Sequence, residues 1–215
     1  MADRPILFSG IMVRALLDGR KSQTRRIFKG AERNQSGLWH VHNSAGGVVG
    51  VTEANVGKEA VAYLPIQVGD RLWVRETWSG HCVFRETPPS QRASFTTPDG
   101  PYLREDVWFW ADGEPAAGDY EKPRPGIHMP LWASRLTLEV TEARVERLQD
   151  ISRGDAMEEG CPFPNMAAGP DPRDWYSDLW NAINGPGSWE ANPWVAAYTF
   201  TVIHKNIAEV RDVAA

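Results

Sequence analysis

Nine residues near the start of the chain concentrate its reactive side chains. Asp18-Gly19-Arg20-Lys21-Ser22-Gln23-Thr24-Arg25-Arg26 holds four cations, two hydroxyls and a side-chain amide. Across residues 14–33 there are seven Lys or Arg against two acids (Asp18 and Glu32), a local net of about +5 in a chain whose formal net charge is −5. A basic run is ordinarily a solvated face, and Lys or Arg after a helix end is ordinary capping. Its concentration on an otherwise acidic protein instead points to an anion-facing patch. An isoelectric point near 5.6 argues against broad binding of duplex DNA, which draws on many phosphate contacts. It leaves room for a local site that takes a nucleoside or a short single strand.

The elements on either side must position this stretch. Residues 11–17 (Ile-Met-Val-Arg-Ala-Leu-Leu) have helical periodicity, with Met12 and Leu16, and Val13 and Leu17, four apart. Ser9 serves as N-cap and Gly19 as a left-handed stop. Ile27-Phe28 opens a strand, so Lys21 and Thr24 fall on a loop or strand start held between two ordered elements, as suits a reactive site. Pro5-Ile6-Leu7-Phe8 reads as a short buried strand, and residues 31–60 as a loop or loose hairpin. In residues 68–78, Leu72, Val74 and Glu76 alternate with Trp73, Arg75 and Thr77, a strand that carries either Glu76 or Arg75 into a cleft. Residues 79–127 are punctuated by Pro and Gly and read as an insertion over or beside the cleft at the basic stretch, with one strand at 107–111 that sets Trp108 and Trp110 on one face. Leu136, Leu138 and Val140 alternate in a half-buried strand, and residues 142–148 continue it through a bend or pair back on it. Ser152 and Asp155 form a capping box, and Gly160 stops a short helix whose last residue is Glu159. A further helix opens at Asp171-Pro172, with Trp175, Leu179 and Ile183 as its buried stripe, and ends at Gly185-Pro186-Gly187. Trp194, Ala196, Tyr198, Phe200 and Val202 alternate in a final strand, beyond which the tail after Lys205 frays. Five to seven strands with three short helices give an α+β fold: a small mixed β-barrel or curved sheet with helices at its rim. It reads as one domain over residues 1–205, with 31–60 and 79–127 as loop insertions and 206–215 as a tail.

Composition narrows the classes. With 42% hydrophobic and 24% charged residues over 215 positions, a true core is expected. No apolar run approaches the ~20 residues that span a bilayer, and no long apolar stretch follows the N-terminus as a signal peptide would require. Cys82 and Cys161 stand 79 positions apart with no cysteine at metal-ligand spacing, the pattern of two free thiols in a cytoplasmic protein. His40-Val41-His42 reads as an exposed strand or loop in preference to a metal site, and no phosphate-loop or dinucleotide glycine motif calls for a cofactor. Of the ten tryptophans, Trp175, Trp194, Trp180 and Trp132 read as core. Trp73, Trp78, Trp108 and Trp110 are the candidates for stacking on a base, a contact worth ~1–3 kcal/mol in single-strand binders.

Gly19-Arg20-Lys21-Ser22-Gln23-Thr24-Arg25-Arg26 resembles the Gly-x-Lys-Thr-x-Thr-x-Arg signature of ASCH domains, named for activating signal cointegrator homology, with Ser22 where the family usually has threonine. Further stretches resemble phage- and prophage-encoded ASCH-like proteins: residues 5–8, residues 72–77 (Leu-Trp-Val-Arg-Glu-Thr), residues 128–135 (His-Met-Pro-Leu-Trp-Ala-Ser-Arg) and residues 184–189 (Asn-Gly-Pro-Gly-Ser-Trp). The resemblance leaves out residues 31–60 and 79–120. It implies a barrel related to the PUA fold of RNA recognition, with a cleft beside the basic stretch. It also implies the chemistry of a small bacterial member that removes the acetyl group from N4-acetylcytidine. That member's lysine and threonine fall on Lys21 and Thr24, and its distant glutamate on Glu159, with Glu158 the adjacent alternative. Substrate contacts are then expected from Arg20, Ser22, Arg25, Arg26, Arg75, Glu76, Trp73 and Trp78, with no metal and no cofactor. A threonine hydroxyl is inert until a base takes its proton, and a lysine serves only where burial or neighbouring cations depress its pKa. The rival expectation is a non-catalytic binder of single-stranded RNA or DNA that uses Lys21, Arg25 and Arg26 on phosphates. A phage accessory protein that binds a host protein is a third.

Overall fold

The structure, a computed structural model, describes residues 1–116, 118–167 and 169–210. In chain order its elements are β1 (Asp3–Leu7), α1 (Gly10–Leu17), β2 (Gln23–Ile27), β3 (Ala31–Arg33), β4 (Trp39–Asn43), β5 (Gly46–Val51), α2 (Glu53–Ala60), β6 (Arg71–Arg75), β7 (Trp78–Gly80), β8 (Phe95–Thr97), β9 (Gly100–Tyr102), β10 (Val107–Phe109), β11 (Thr137–Arg147), α3 (Arg153–Glu158), α4 (Pro172–Asn184) and β12 (Trp194–Ile203). They gather into two compact units. One holds Met1, Gly19–Asp70 and Val140–Thr201; the other holds Ala2–Asp18, Arg71–Glu139 and the described residues from Val202. The expected mixture of helix and strand is present. Among the described residues, no pairing closes the strands into a barrel.

In the first unit, β12 has β11 and β2 as its neighbours. β2 runs antiparallel to β12, with Thr24 opposite Tyr198 and Arg26 opposite Ala196. The strand therefore begins inside the basic stretch, at Gln23, and not at Ile27 as the apolar pair suggested. β12 is buried on both faces from Trp194 through Tyr198, so its two alanines leave room where bulkier residues would crowd. Leu148, Ile151, Ala156, Tyr176, Trp180 and Val195 form one core cluster. The buried stripe of α4 is Pro172, Tyr176 and Trp180, one residue on from the expected Trp175, Leu179 and Ile183. Trp175 and Leu179 pack only at the cluster's margin, and Ile183 is exposed.

Residues 31–60, expected as a loop or loose hairpin, form two successive hairpins in the three-stranded antiparallel sheet β3-β4-β5, followed by the helix α2, which was not expected. Trp39 and Val41 are buried two positions apart on β4, a period-2 pattern obscured by the short strands and glycines around it. The Asn34 carboxamide oxygen accepts from the Ser36 and Leu38 N–H groups and closes the β3–β4 turn. A Cβ on Gly57 would lie 2.7 Å from the Val145 carbonyl oxygen, so only glycine lets α2 approach the β11 backbone this closely. Arg147 on β11 hydrogen-bonds Glu53 and lies over the Trp194 ring, 4.4 Å from its centroid.

In the second unit, β1 runs parallel to β6, with Ile6 beside Val74, and the first residues of β11 pair antiparallel to β6 on its other edge. Met12, Val13, Ala15 and Leu16 are the buried face of α1. The segment expected as a loop insertion carries β10 paired with β7, and the hairpin β8–β9. Trp78, Met129 and Ala133, outside that segment, form a core cluster of this unit against which the segment's Val107 and Phe109 pack. The tail is not frayed over its described part. Ile207 is buried, Asn206 Nδ2 donates to the carbonyls of Leu131 and Ser134, and Arg71 Nη1 donates to the Val210 carbonyl. Residues 211–215 of the expected tail lie outside the described residues. Among the described residues, no helix is long and apolar enough to cross a membrane.

Candidate active site

Gly19 takes φ +70°, the left-handed conformation that glycine adopts without a Cβ penalty, and the chain after it runs extended along the end of α3. The Ser22 N–H donates to the Glu158 carbonyl at 2.9 Å, Lys21 and Glu159 form an isolated antiparallel bridge, and Arg20 Nη1 donates to the Gly160 carbonyl at 2.9 Å. α3 is fixed at its start by the capping box between Ser152 and Asp155. It stops where Gly160 takes φ +101°, which makes Glu159 its C-cap. The carbonyl of Glu159 is one that a helix end leaves without an intrahelical partner, and Lys21 Nζ donates to it at 2.9 Å.

The same ammonium group donates to Glu159 Oε2 at 2.8 Å. The other oxygen of that carboxylate, Oε1, accepts from Arg25 Nη1 at 3.1 Å and from the Tyr176 hydroxyl at 3.4 Å. Lys21 is 1% exposed and Glu159 3%. Burial pushes the Lys21 ammonium below its ordinary pKa; Glu159 opposes this, and Arg26 and Arg25 add to it. Burial and the adjacent carboxylate hold the Tyr176 phenol well above its ordinary value, so it stays a hydrogen-bond donor.

A second layer surrounds this pair. Gln23 Nε2 donates to Asp155 Oδ1 at 2.9 Å and to Glu158 Oε2 at 2.6 Å, while Gln23 Oε1 accepts from Arg25. Arg25 also reaches Glu146, and Arg144 bridges Glu146 and Asp155. Burial weakens the charge on Arg25, but Glu159 and Glu146 more than offset it and hold the guanidinium more firmly protonated. For Asp155, burial is outweighed by hydrogen bonds from Gln23 and Ser152 and by the charges of Arg144 and Arg25, and its pKa falls to about 2. Lys21, Arg25 and Arg144 thus face Glu146, Asp155, Glu158 and Glu159. The central cations of the basic stretch are matched by carboxylates from β11 and the end of α3.

Of the three residues expected to react, the fold joins Lys21 and Glu159, 138 positions apart. Thr24 is buried on β2, on the opposite face from Gln23 and Arg25 by strand alternation. Among the described residues, no hydrogen bond engages its hydroxyl. Glu158, the alternative carboxylate, turns to Gln23 and not to Lys21. Arg20, Ser22 and Arg26 are half-buried, and burial lowers the pKa of Arg26. Trp73, Arg75, Glu76 and Trp78 belong to the second unit and have partners there. Arg75 lies 4.4 Å over the Trp73 ring and donates to the Ile127 carbonyl. Glu76 is buried in a bidentate pair with Arg135, yet burial still raises its pKa. Trp78 is 0% exposed and meets Trp132 edge-on at 5.9 Å, leaving no ring face for a base.

Sequence reasoning missed Gln23, Arg144, Glu146, Asp155 and Tyr176 as members of the cluster. Arg144 and Glu146 flank the buried Val145, and this alternation, with charge on the non-apolar face, was the signal available. No family model matches the chain, and no curated protein matches it. Among solved structures the chain is similar to the high-resolution crystal structure of an ASCH domain from Lactobacillus crispatus JV V101. The identity is 11%, the match covers 94% of this chain and 79% of that one, and the TM-score is 0.39. At that TM-score the likeness assigns neither fold nor activity.

Proposed function

We propose that this chain is an ASCH-type protein that recognises a modified nucleoside and hydrolyses an amide on it, of the N4-acylated cytidine kind. Lys21, Thr24 and Glu159 are its reacting groups. The observation that carries this reading is the buried Lys21–Glu159 pair, 2.8 Å apart, beside the strand that bears Thr24. Lys21, its pKa lowered by burial, serves in its neutral form as the base for the Thr24 hydroxyl once bound substrate has drawn that hydroxyl to it from the other face of β2, and the hydroxyl oxygen attacks the amide carbonyl carbon. The C–N bond then breaks. Glu159, hydrogen-bonded to Lys21, carries the proton to the departing exocyclic amine. Water hydrolyses the resulting threonine ester, releases the carboxylic acid and restores the hydroxyl. Arg25 and Tyr176 on Glu159 Oε1 leave Oε2 turned toward Lys21 and fix the direction of that relay.

The rival, a single-strand binder, would spend Lys21, Arg25 and Arg26 on phosphates. The engagement of Lys21 with Glu159 and of Arg25 with Glu146 weighs against it. Purified parent, Lys21→Arg, Thr24→Ser and Thr24→Val are assayed for hydrolysis of N-acylated nucleosides and for single-strand binding, with circular dichroism as the check on folding. Arginine holds its proton at any working pH, so Lys21→Arg is expected to lose at least about 10²-fold in rate. Thr24→Ser keeps part of the activity and Thr24→Val none. No turnover by the parent on any acylated nucleoside, with strand binding unaltered in Lys21→Arg, leaves the binding module as the function.

A further inference from the structure

His40-Val41-His42 sets two imidazoles two residues apart on β4. Both therefore stand on one face of the strand, while Val41 between them is fully buried on the other. On β3, Glu32 lies directly opposite His40 and adds a carboxylate to the same face. The two rings are 4.5 Å apart between centroids, with planes inclined by 30°, and Glu32 Oε1 lies 3.5 Å from His42 Nε2. One ligand atom from each of the three side chains lies within 4.8 Å of the other two. We propose that Glu32, His40 and His42 bind a divalent transition-metal ion of the zinc type on this face of the β3-β4-β5 sheet.

The neighbouring strand is shaped to leave room for the two rings. β5 places Gly47 opposite His42, and a Cβ there would fall 2.5 Å from the His42 Cβ and 2.8 Å from His40 Nε2. It would also fall 2.7 Å from the Val41 carbonyl oxygen, so only glycine fits beside the two rings. The β4–β5 register slips between Trp39 and Val41, at His40, the kind of irregularity that re-aims a side chain. His42 Nε2 is shielded from water and has no hydrogen-bond partner among the described residues. A buried nitrogen of this kind calls for a partner, and a cation held jointly with Glu32 supplies one. Two imidazoles and a carboxylate suit zinc and its first-row neighbours, and three protein ligands leave one coordination position for water. Tetrahedral zinc places its ligand atoms about 3.3 Å apart. Glu32 is exposed, so its side chain can swing in to complete the set without moving the strands. The ion would pin β3 to β4 at mid-strand.

The test is titration of the full chain with cobalt(II), followed by its visible absorption, then displacement by zinc(II). The expected result is one cobalt per chain, with the intense bands of low-coordinate cobalt lost as zinc is added, and a rise in the thermal midpoint of the parent with zinc. His40→Gln, His42→Gln and Glu32→Gln should each weaken binding by at least about tenfold and remove the zinc-dependent rise. Cys82→Ser, which alters the partly exposed free thiol, should change neither. Glu32 is exposed, so its variant keeps the test meaningful if a histidine variant folds poorly by circular dichroism. Undiminished cobalt bands in Glu32→Gln and His42→Gln, or a parent that binds neither metal at about 100 µM, would overturn the site.

Discussion

Glu159 is gripped on both carboxylate oxygens, by Lys21 on one and by Arg25 and Tyr176 on the other. A buried carboxylate is tolerable only with such partners. Asp155 is the member of the cluster whose contribution can be read by titration. Its pKa is about 2 in the folded chain against an ordinary 3.8. Between those values the unfolded chain binds the proton more readily, so stability falls as pH drops through this window and is fully present above it. Asp155 is partly exposed, and after allowance for solvent screening the loss is about 1 kcal/mol. Urea unfolding at pH 5 and pH 2.5 should show that much of the acid loss in the parent and its absence in Asp155→Asn. The Lys21–Glu159 pairing was legible only through the resemblance, because nothing local announces a partner 138 positions away, and Thr24, singled out by the same motif, is not brought to that pair. Gln23, Arg144 and Glu146 stayed hidden because polar residues alternating on a strand look the same whether they face water or each other.

At the scale of elements, α4 gives the sharpest check. Trp180 is 4% exposed and Ile183 is 57% exposed, although the periodicity of 175, 179 and 183 is as good as that of 172, 176 and 180. Bulky residues on both registers left the helix's rotation undetermined by pattern. Its packing on Leu148, Ile151 and Val195 decides it. Trp180→Ala should therefore cost ~3–5 kcal/mol, the loss typical of a buried tryptophan. Ile183→Ala should stay within ~0.5 kcal/mol. Denaturant midpoints of the two variants measure both, and a reversed order would mean that α4 is rotated by about a quarter turn. The capping box of α3, Pro172 at the start of α4 and the long alternation of β12 were all readable, since each rests on side chains within a few residues. The β3-β4-β5 sheet was not, because its strands are short and β5 contains three glycines.

At the scale of the molecule, beyond Met1 the chain changes unit between residues 18 and 19, 70 and 71, 139 and 140, and 201 and 202. Neither unit can be released by one cut. The fragment 140–201 retains Glu159 and all of α4 but lacks β2, and with it the five-residue pairing that covers one edge of β12. Expressed alone, it should give the far-ultraviolet dichroism and narrow amide shifts of a largely unfolded chain. A folded fragment would show that β2 is dispensable to the sheet. The pairing of Thr24 with Tyr198 also sets a schedule for biosynthesis. At about 5–20 residues per second, β2 leaves the ribosome roughly 10–35 s before its partner strand exists. Throughout that interval its backbone is an open template for any other nascent strand. Gln23, Arg25 and Arg26 make that template polar and cationic, and charge of one sign deters two copies from pairing. The residues that later meet the carboxylates of α3 and β11 can thus first act as gatekeepers against aggregation on the polysome.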